Sequence, residues 1–222
     1  MTTIDFAEAI KRADELYNQR SVEGAVEESL DLLIDHERFE TEWRLARAYF
    51  FLGQEAASIK TKRQLHASGI ETGQKAAQIS DERVEGHFWA GVNLALFAEA
   101  VGGLKGALSL LHARKELARA SEIAADYHGA GPLRVLGRLY HKAPRLLGGS
   151  LLRSRECFDR AIEIAPTNSV TLIYAAELMI DIKEPARAVA LLEKIIASPV
   201  DPAWEFENRR DKARAEIMIE RI

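Results

Sequence analysis

Arg134, Arg138 and His141 follow one another at spacings of four and three residues, which sets them on one face of a helix. Two guanidinium groups placed this way can hold a carboxylate or another anion through paired, charge-assisted hydrogen bonds. Trp43, Arg47 and Phe50 have the same spacing, as do Phe88, Val92 and Ala95, and Leu172, Ala176 and Met179. Apolar and aromatic walls beside a basic patch suit an anionic amphiphile or a peptide carboxylate. Reactive chemistry is harder to assemble. His36, His66, His87, His112, His128 and His141 are spread singly, and none has a second histidine at metal-ligand spacing. Gly102-Gly-Leu-Lys-Gly106 lacks the preceding strand and the spacing of a phosphate loop, and reads instead as a chain reversal between helices. There is no Gly-x-Ser-x-Gly elbow, His-Glu-x2-His helix or Cys-x2-Cys pair. Cys157, the single cysteine, excludes an intramolecular disulfide and reads as a half-buried structural thiol beside Phe158. The expectation is a binding protein, not an enzyme, with no cofactor and no metal.

Bulk properties narrow the partners. Formal net charge is −4 with a pI near 5.9, so generic nucleic-acid or anionic-membrane binding is not expected from overall charge. No apolar run approaches the roughly 18 residues of a membrane span. The N-terminal stretch meets Asp5 with no apolar segment after it, so no secretory signal is evident. As written the chain reads as cytoplasmic, or as the processed form of an exported, periplasmic protein.

Those side chains need a scaffold, and the sequence describes an all-α one. Apolar residues recur at three and four, as in Ala188, Leu191, Leu192, Ile195 and Ile196, or Cys157, Phe158, Ala161, Ile162 and Ala165. Turn chemistry falls at intervals: Asn18–Val22, Asp35–Phe39, Gly53–Gln54, Ser80–Arg83, Gly102–Gly106, Asp126–Pro132, Ala143–Ser150, Pro166–Ser169, Lys183–Pro185 and Ser198–Pro202. About 10 or 11 helices result. Ser154-x3-Phe158-x2-Ala161-x4-Pro166, preceded by Leu133-x2-Leu136-Gly137-x2-Tyr140, resembles a tetratricopeptide unit, a helix-turn-helix of about 34 residues. Degenerate first helices follow the same pattern at Leu45-Ala46-x2-Tyr49, Ala90-Gly91-x2-Leu94 and Tyr174-Ala175-x2-Leu178. The small residues at 46, 91, 137 and 175 lie 45, 46 and 38 residues apart, so the early units are stretched, with long second helices expected at 55–80 and 104–125. The reading is a single domain over 1–222, a tetratricopeptide-like α-solenoid of antiparallel helix pairs. An N-terminal pair occupies 1–38, degenerate units span 39–82, 83–127, 130–166 and 167–200, and a charged, amphipathic capping helix spans 202–222. Within it, Glu205–Lys212 reads as a solvated face with i,i+4 pairs.

In such solenoids the first helix of each pair lines the concave surface, which turns the four triplets inward. Trp43, Arg47, Phe50, Phe88, Arg134, Arg138, His141 and Met179 are therefore the candidate ligand- or partner-binding residues. The same spacing is equally met if the aromatics are buried beneath the long helices and the arginines bridge acidic groups. On the first alternative, substituting Arg134 and Arg138 weakens anion binding without unfolding the protein.

Three stretches carry a closer resemblance: Trp43-Arg-Leu-Ala-Arg-Ala-Tyr49, Gly86-His-Phe-Trp-Ala-Gly-Val-Asn-Leu94, and Gly131-Pro-Leu-Arg-Val-Leu-Gly-Arg-Leu-Tyr140 through Pro144 and Gly148-Gly149 to Phe158. Over roughly residues 25–200 the chain resembles the T component of tripartite ATP-independent periplasmic (TRAP) transporters. It is also similar to the regulator-of-microtubule-dynamics family. The first resemblance implies a scaffold with a ligand-sized cleft, a solute-binding protein as partner, and trimer formation. The second implies a carrier of hydrophobic or anionic, lipid-like ligands.

Overall fold

The computed structural model describes residues 5–34 and 37–222, so His36 and the first part of the Asp35–Phe39 break lie outside the described residues. Every regular element among the described residues is helical, and the helices form antiparallel pairs stacked in α-solenoid fashion. They divide into two compact units, Met1–Ala124 and Ala125–Ile222.

The first unit contains α1 (Phe6–Asn18), α2 (Ala25–Leu33), α3 (Phe39–Glu55), α4 (Ile59–Ile79), α5 (Val84–Val101) and α6 (Gly103–Ile123). The two long second helices expected from the stretched repeat are α4 and α6. Ser58 starts α4 by accepting a hydrogen bond from the Thr61 amide at 3.0 Å, relieving one unpaired donor of the first turn. Gly102 and Gly103 have φ of +63° and +57°, a conformation that only glycine adopts without strain, and here the chain reverses from α5 into α6. Small residues set how closely the helices cross. A Cβ at Gly73 would lie 2.7 Å from the Ala90 nitrogen, and one at Gly86 would lie 2.5 Å from the Ala77 nitrogen. Both obstacles are backbone and cannot yield. Between α3, α4 and α5 lies a buried polar link. The Asn93 amide donates to the Ala46 and Trp89 carbonyls at 3.0 and 2.9 Å, and its oxygen lies 3.0 Å from His66 Nδ1. Burial pushes the His66 pKa down, so its neutral ring fits this setting.

The second unit contains α7 (Tyr127–Lys142), a 3₁₀ turn at Arg145–Leu147, α8 (Leu151–Ile164), α9 (Ser169–Asp181), α10 (Pro185–Ala197), a second 3₁₀ turn at Pro202–Trp204, and α11 (Glu205–Ile219). Its core joins Phe158, Leu172, Ile173, Leu178, Met179, Leu192 and Ile195. The best-formed repeat shows why its signature residues are needed. Ser154 Oγ donates to the Gly137 carbonyl at 2.8 Å, and Phe158 lies against the bare Gly137 backbone, where a Cβ would come within 2.8 Å of the ring. At the start of α7, His128, Gly129 and Ala130 all have positive φ, and regular helix begins only at Gly131-Pro132.

The capping helix buries a mixed face, with Met218 and Ile219 packed on the core of the second unit and polar residues inward before them. Asn208, Asp211 and Ala215 point inward. Ser169 Oγ donates to Asp211 at 2.8 Å, and the Asn208 amide donates to Ser169 Oγ at 3.0 Å. Lys212 donates to the Ile196 and Ser198 carbonyls at the end of α10. The Glu205–Lys212 run is thus only partly a solvated face, although Arg209 and Glu205 do pair across one turn at 2.7 Å. No helix among the described residues is long and apolar enough to cross a membrane.

Candidate functional site

In the first unit Trp43, Arg47 and Phe50 lie on α3, whose first turns face α1, and Phe88 lies on α5. Asp14 of α1 receives Arg44 through both carboxylate oxygens, at 2.8 to 3.1 Å, and Arg47 at 2.6 Å. Arg44 continues to Glu40 at 2.7 Å, and Glu40 accepts from Trp43 Nε1 at 3.1 Å and from Arg83 at 3.2 Å. Burial opposes ionisation of Asp14 and Glu40, yet the guanidinium hydrogen bonds outweigh it and hold both carboxyls below their usual range. The cations also lie on rings, with Arg47 3.9 Å from the Tyr17 centroid and Arg44 4.1 Å from that of Trp43. Phe50, half-buried, meets Trp89 at 5.4 Å. Phe88 is buried, with its edge against Trp89.

A second ladder runs between α7, α9 and α11. Arg138 and Arg214 both pair with Glu177, one on each carboxylate oxygen, and Arg138 lies 4.5 Å above the Tyr174 ring. His141 Nε2 meets Asp181 at 2.7 Å, and Lys142 meets the same carboxylate at 3.1 Å. Burial and the neighbouring Lys142 outweigh Asp181 and push the His141 pKa down. Met179 is buried in the core and reaches no surface.

Arg134 makes contacts that its spacing did not suggest. It is buried, and burial lowers its pKa to about 10. Its guanidinium donates to the Gly129 carbonyl at 2.8 Å, and to the His128 carbonyl and Asn168 Oδ1 at 3.3 Å. It lies 5.6 Å from the Trp204 ring. Arg134 therefore clamps the left-handed 128–130 segment, and replacing it disturbs the fold at this point. The other two arginines are also engaged: an anion at Arg47 or Arg138 must displace Asp14 or Glu177.

Several structured groups had no sequence signal. His87 Nδ1 lies 2.7 Å from Glu116 and its Nε2 lies 3.0 Å from the Asp81 carbonyl, while Arg119 pairs with Asp81 at 2.9 Å. Trp204 packs on His128 with ring centroids 4.6 Å apart. Glu116 lies far from His87 in the chain, as Arg119 does from Asp81 and Trp204 from His128, so only the fold reveals these pairings. Cys157 is half-buried, as expected, and burial raises its pKa to about 11, which keeps the thiol protonated. A hollow of about 490 Å³ lies elsewhere. Ile180, Pro185, Met218 and Ile222 give it an apolar wall, and Lys183 and Arg221 stand at it.

Comparison with known proteins agrees with this architecture. The chain is similar in structure to a thermophilic TPR (tetratricopeptide) protein of Thermus thermophilus, with a TM-score of 0.70 at 18% identity, over 95% of this chain and 98% of that one. It is similar to two structures of MamA, with TM-scores of 0.53 and 0.52 at 17% identity. The aligned regions cover 95% and 93% of this chain and 98% and 92% of those. At such identities the likeness speaks for the fold alone. No curated protein matches the chain. The model of the TRAP transporter T-component family matches residues 9–222, and the chain belongs to that family.

Proposed function

We propose that the chain is a non-enzymatic accessory module of a TRAP transporter that docks a solute-binding protein through its first-helix rows. The observation that carries this reading is the pair of charge ladders. Arg44, Arg47, Asp14 and Glu40 in one unit, and Arg138, Glu177 and Arg214 in the other, are partly exposed and interleaved with Trp43, Tyr17 and Tyr174. Arginine, tryptophan and tyrosine are the side chains that dominate protein–protein hot spots. An alternating charge pattern selects a complementary partner more sharply than it attracts a lone anion. In the first unit Arg47 and Phe50 belong to the docking surface, with Trp43 and Phe88 beneath it; in the second Arg138 belongs to it, with Arg134, His141 and Met179 beneath. A periplasmic location follows from the role. Assembly as a trimer accords with it and is read by sedimentation equilibrium.

The test is isothermal titration of the protein with the solute-binding protein of a TRAP system. The triple charge swap Arg138→Glu, Glu177→Arg, Arg214→Glu keeps both ion pairs but reverses their pattern. It should leave the circular dichroism spectrum unchanged and weaken binding by about tenfold or more. Unchanged affinity in a folded swap variant would sink the reading.

The hollow at Ile180, Lys183, Pro185, Met218, Arg221 and Ile222 favours a second reading, a carrier of an anionic amphiphile. Apolar burial would hold the chain of such a ligand and the two cations its head. Native mass spectrometry with a medium-chain fatty acid, on wild type and on Lys183→Glu, separates the two roles.

A further inference from the structure

The segment joining α7 to α8 has no part in the docking face. Its backbone is firmly organised. The Leu147 amide donates to the Pro144 carbonyl at 2.9 Å, Gly148 to Arg145 at 2.9 Å, Gly149 to Pro144 at 3.0 Å, and Ser150 to Tyr140 at 2.8 Å. The turn is so tight that a Cβ at Gly149 would sit 1.8 Å from the Ala143 carbonyl oxygen. Ser150 then caps α8 by accepting from the Arg153 amide at 3.3 Å. A turn held this well could tuck its apolar side chains away, yet it presents them. Leu146 is 100% exposed, Leu152 68% and Leu151 47%.

Along the chain, the charge flanking these leucines has one sign. No acidic residue occurs from Lys142 to Arg155. Lys142 is matched by Asp181 and Arg155 by Glu184. Among the described residues, neither Arg145 nor Arg153 has a carboxylate within ion-pair distance. Arg153 lies 5.7 Å from the Tyr140 ring centroid.

We infer that this loop is a docking tip for the surface of an anionic lipid bilayer. Leu146, Leu151 and Leu152 enter the acyl boundary, and Arg145 and Arg153 meet headgroup phosphates. The shape favours a bilayer over a protein. A leucine standing fully clear of a turn has no concave wall beside it to receive a partner's side chain. Leucine is also under-represented among protein hot spots. Leucines flanked by unpaired cations, with a tyrosine at their base, match the composition of segments that lie in the headgroup region. The chain's net charge of −4 does not oppose this. Charges beyond a Debye length of about 8 Å are screened, so the local pair of arginines governs the contact.

The test is co-sedimentation of the full chain with vesicles of phosphatidylcholine containing about a third phosphatidylglycerol, and with pure phosphatidylcholine vesicles. Wild type should partition to the anionic vesicles, and raised salt should release it. Leu146→Ser with Leu152→Ser, and separately Arg145→Glu with Arg153→Glu, should each reduce binding by about tenfold. All four positions are solvent-facing, so unchanged thermal melting is expected and serves as the folding control. Failure of wild type to bind anionic vesicles overturns the proposal, as does binding that neither double variant changes. Should the leucine variant instead weaken capture of a solute-binding protein while vesicles are ignored, the loop is a protein contact and the proposal is equally overturned.

Discussion

His87 places both ring nitrogens against acceptors, the Glu116 carboxylate on one side and the Asp81 carbonyl on the other. Only the imidazolium carries a proton for each. The hydrogen bond to Glu116 therefore raises the His87 pKa above 6.5, against the opposing effect of burial. The stability it adds is complete below the unfolded value of about 6.5 and is lost as pH rises through the raised folded value. His66 and His141 work in the other direction. Burial lowers both, so their contribution is present above the unfolded value and lost as pH falls. His87→Gln isolates the first effect. In urea denaturation the variant should be less stable by about 1–3 kcal/mol near pH 6, and the gap should narrow toward pH 9. A gap that is flat or grows with pH would refute the assignment. The sequence offered no access to this cluster. Glu116 lies 29 residues from His87, and neither residue type nor local spacing distinguishes this histidine from the other five.

Helix pairing was more readable, because it depends on small residues at fixed places. Leu136-Gly137-x2-Tyr140 and Ser154-x3-Phe158-x2-Ala161 stand out in the sequence since close crossing of α7 and α8 tolerates few alternatives. Phe158 is buried at the crossing and cannot swing away. Gly137→Ala should therefore cost about 1–3 kcal/mol by overpacking, even though alanine is the better helix former. Shrinking the neighbour in Gly137→Ala, Phe158→Leu should recover part of that loss relative to Phe158→Leu alone, as measured by a double-mutant cycle in urea. Additive losses would mean that the glycine serves something other than the aromatic. What the pattern could not supply is what a side chain touches beyond its own helix. Arg47 and Arg138 were legible as members of a row. The carboxylates that engage them, Asp14 and Glu177, come from neighbouring first helices 33 and 39 residues away. The setting of Arg134 was hidden for a related reason. Helical spacing placed it with Arg138, but the left-handed turn at 128–130 curls carbonyls back onto it.

At the scale of the whole chain, the all-helical stack follows from recurring apolar faces and the stretched repeat, both visible along the sequence. The division at residue 124 is not marked by composition; it emerges from which helices share contacts. Each unit has its own core, with Ala13, Leu33 and Leu45 packed together in the first and Phe158, Leu172, Leu178 and Leu192 in the second. Cores of this kind open as cooperative units, and the cost of a cavity is felt by the unit that holds it. Leu192 is fully buried in the second core, so Leu192→Ala should destabilise by about 2–5 kcal/mol. In native-state hydrogen exchange, amides protected by opening of the second unit should exchange faster across 125–222, while those of 5–124 keep their wild-type protection. Equal acceleration in both halves would show that the chain opens as one body. Acceleration confined to α10 and its immediate neighbours would show that the second unit is not cooperative.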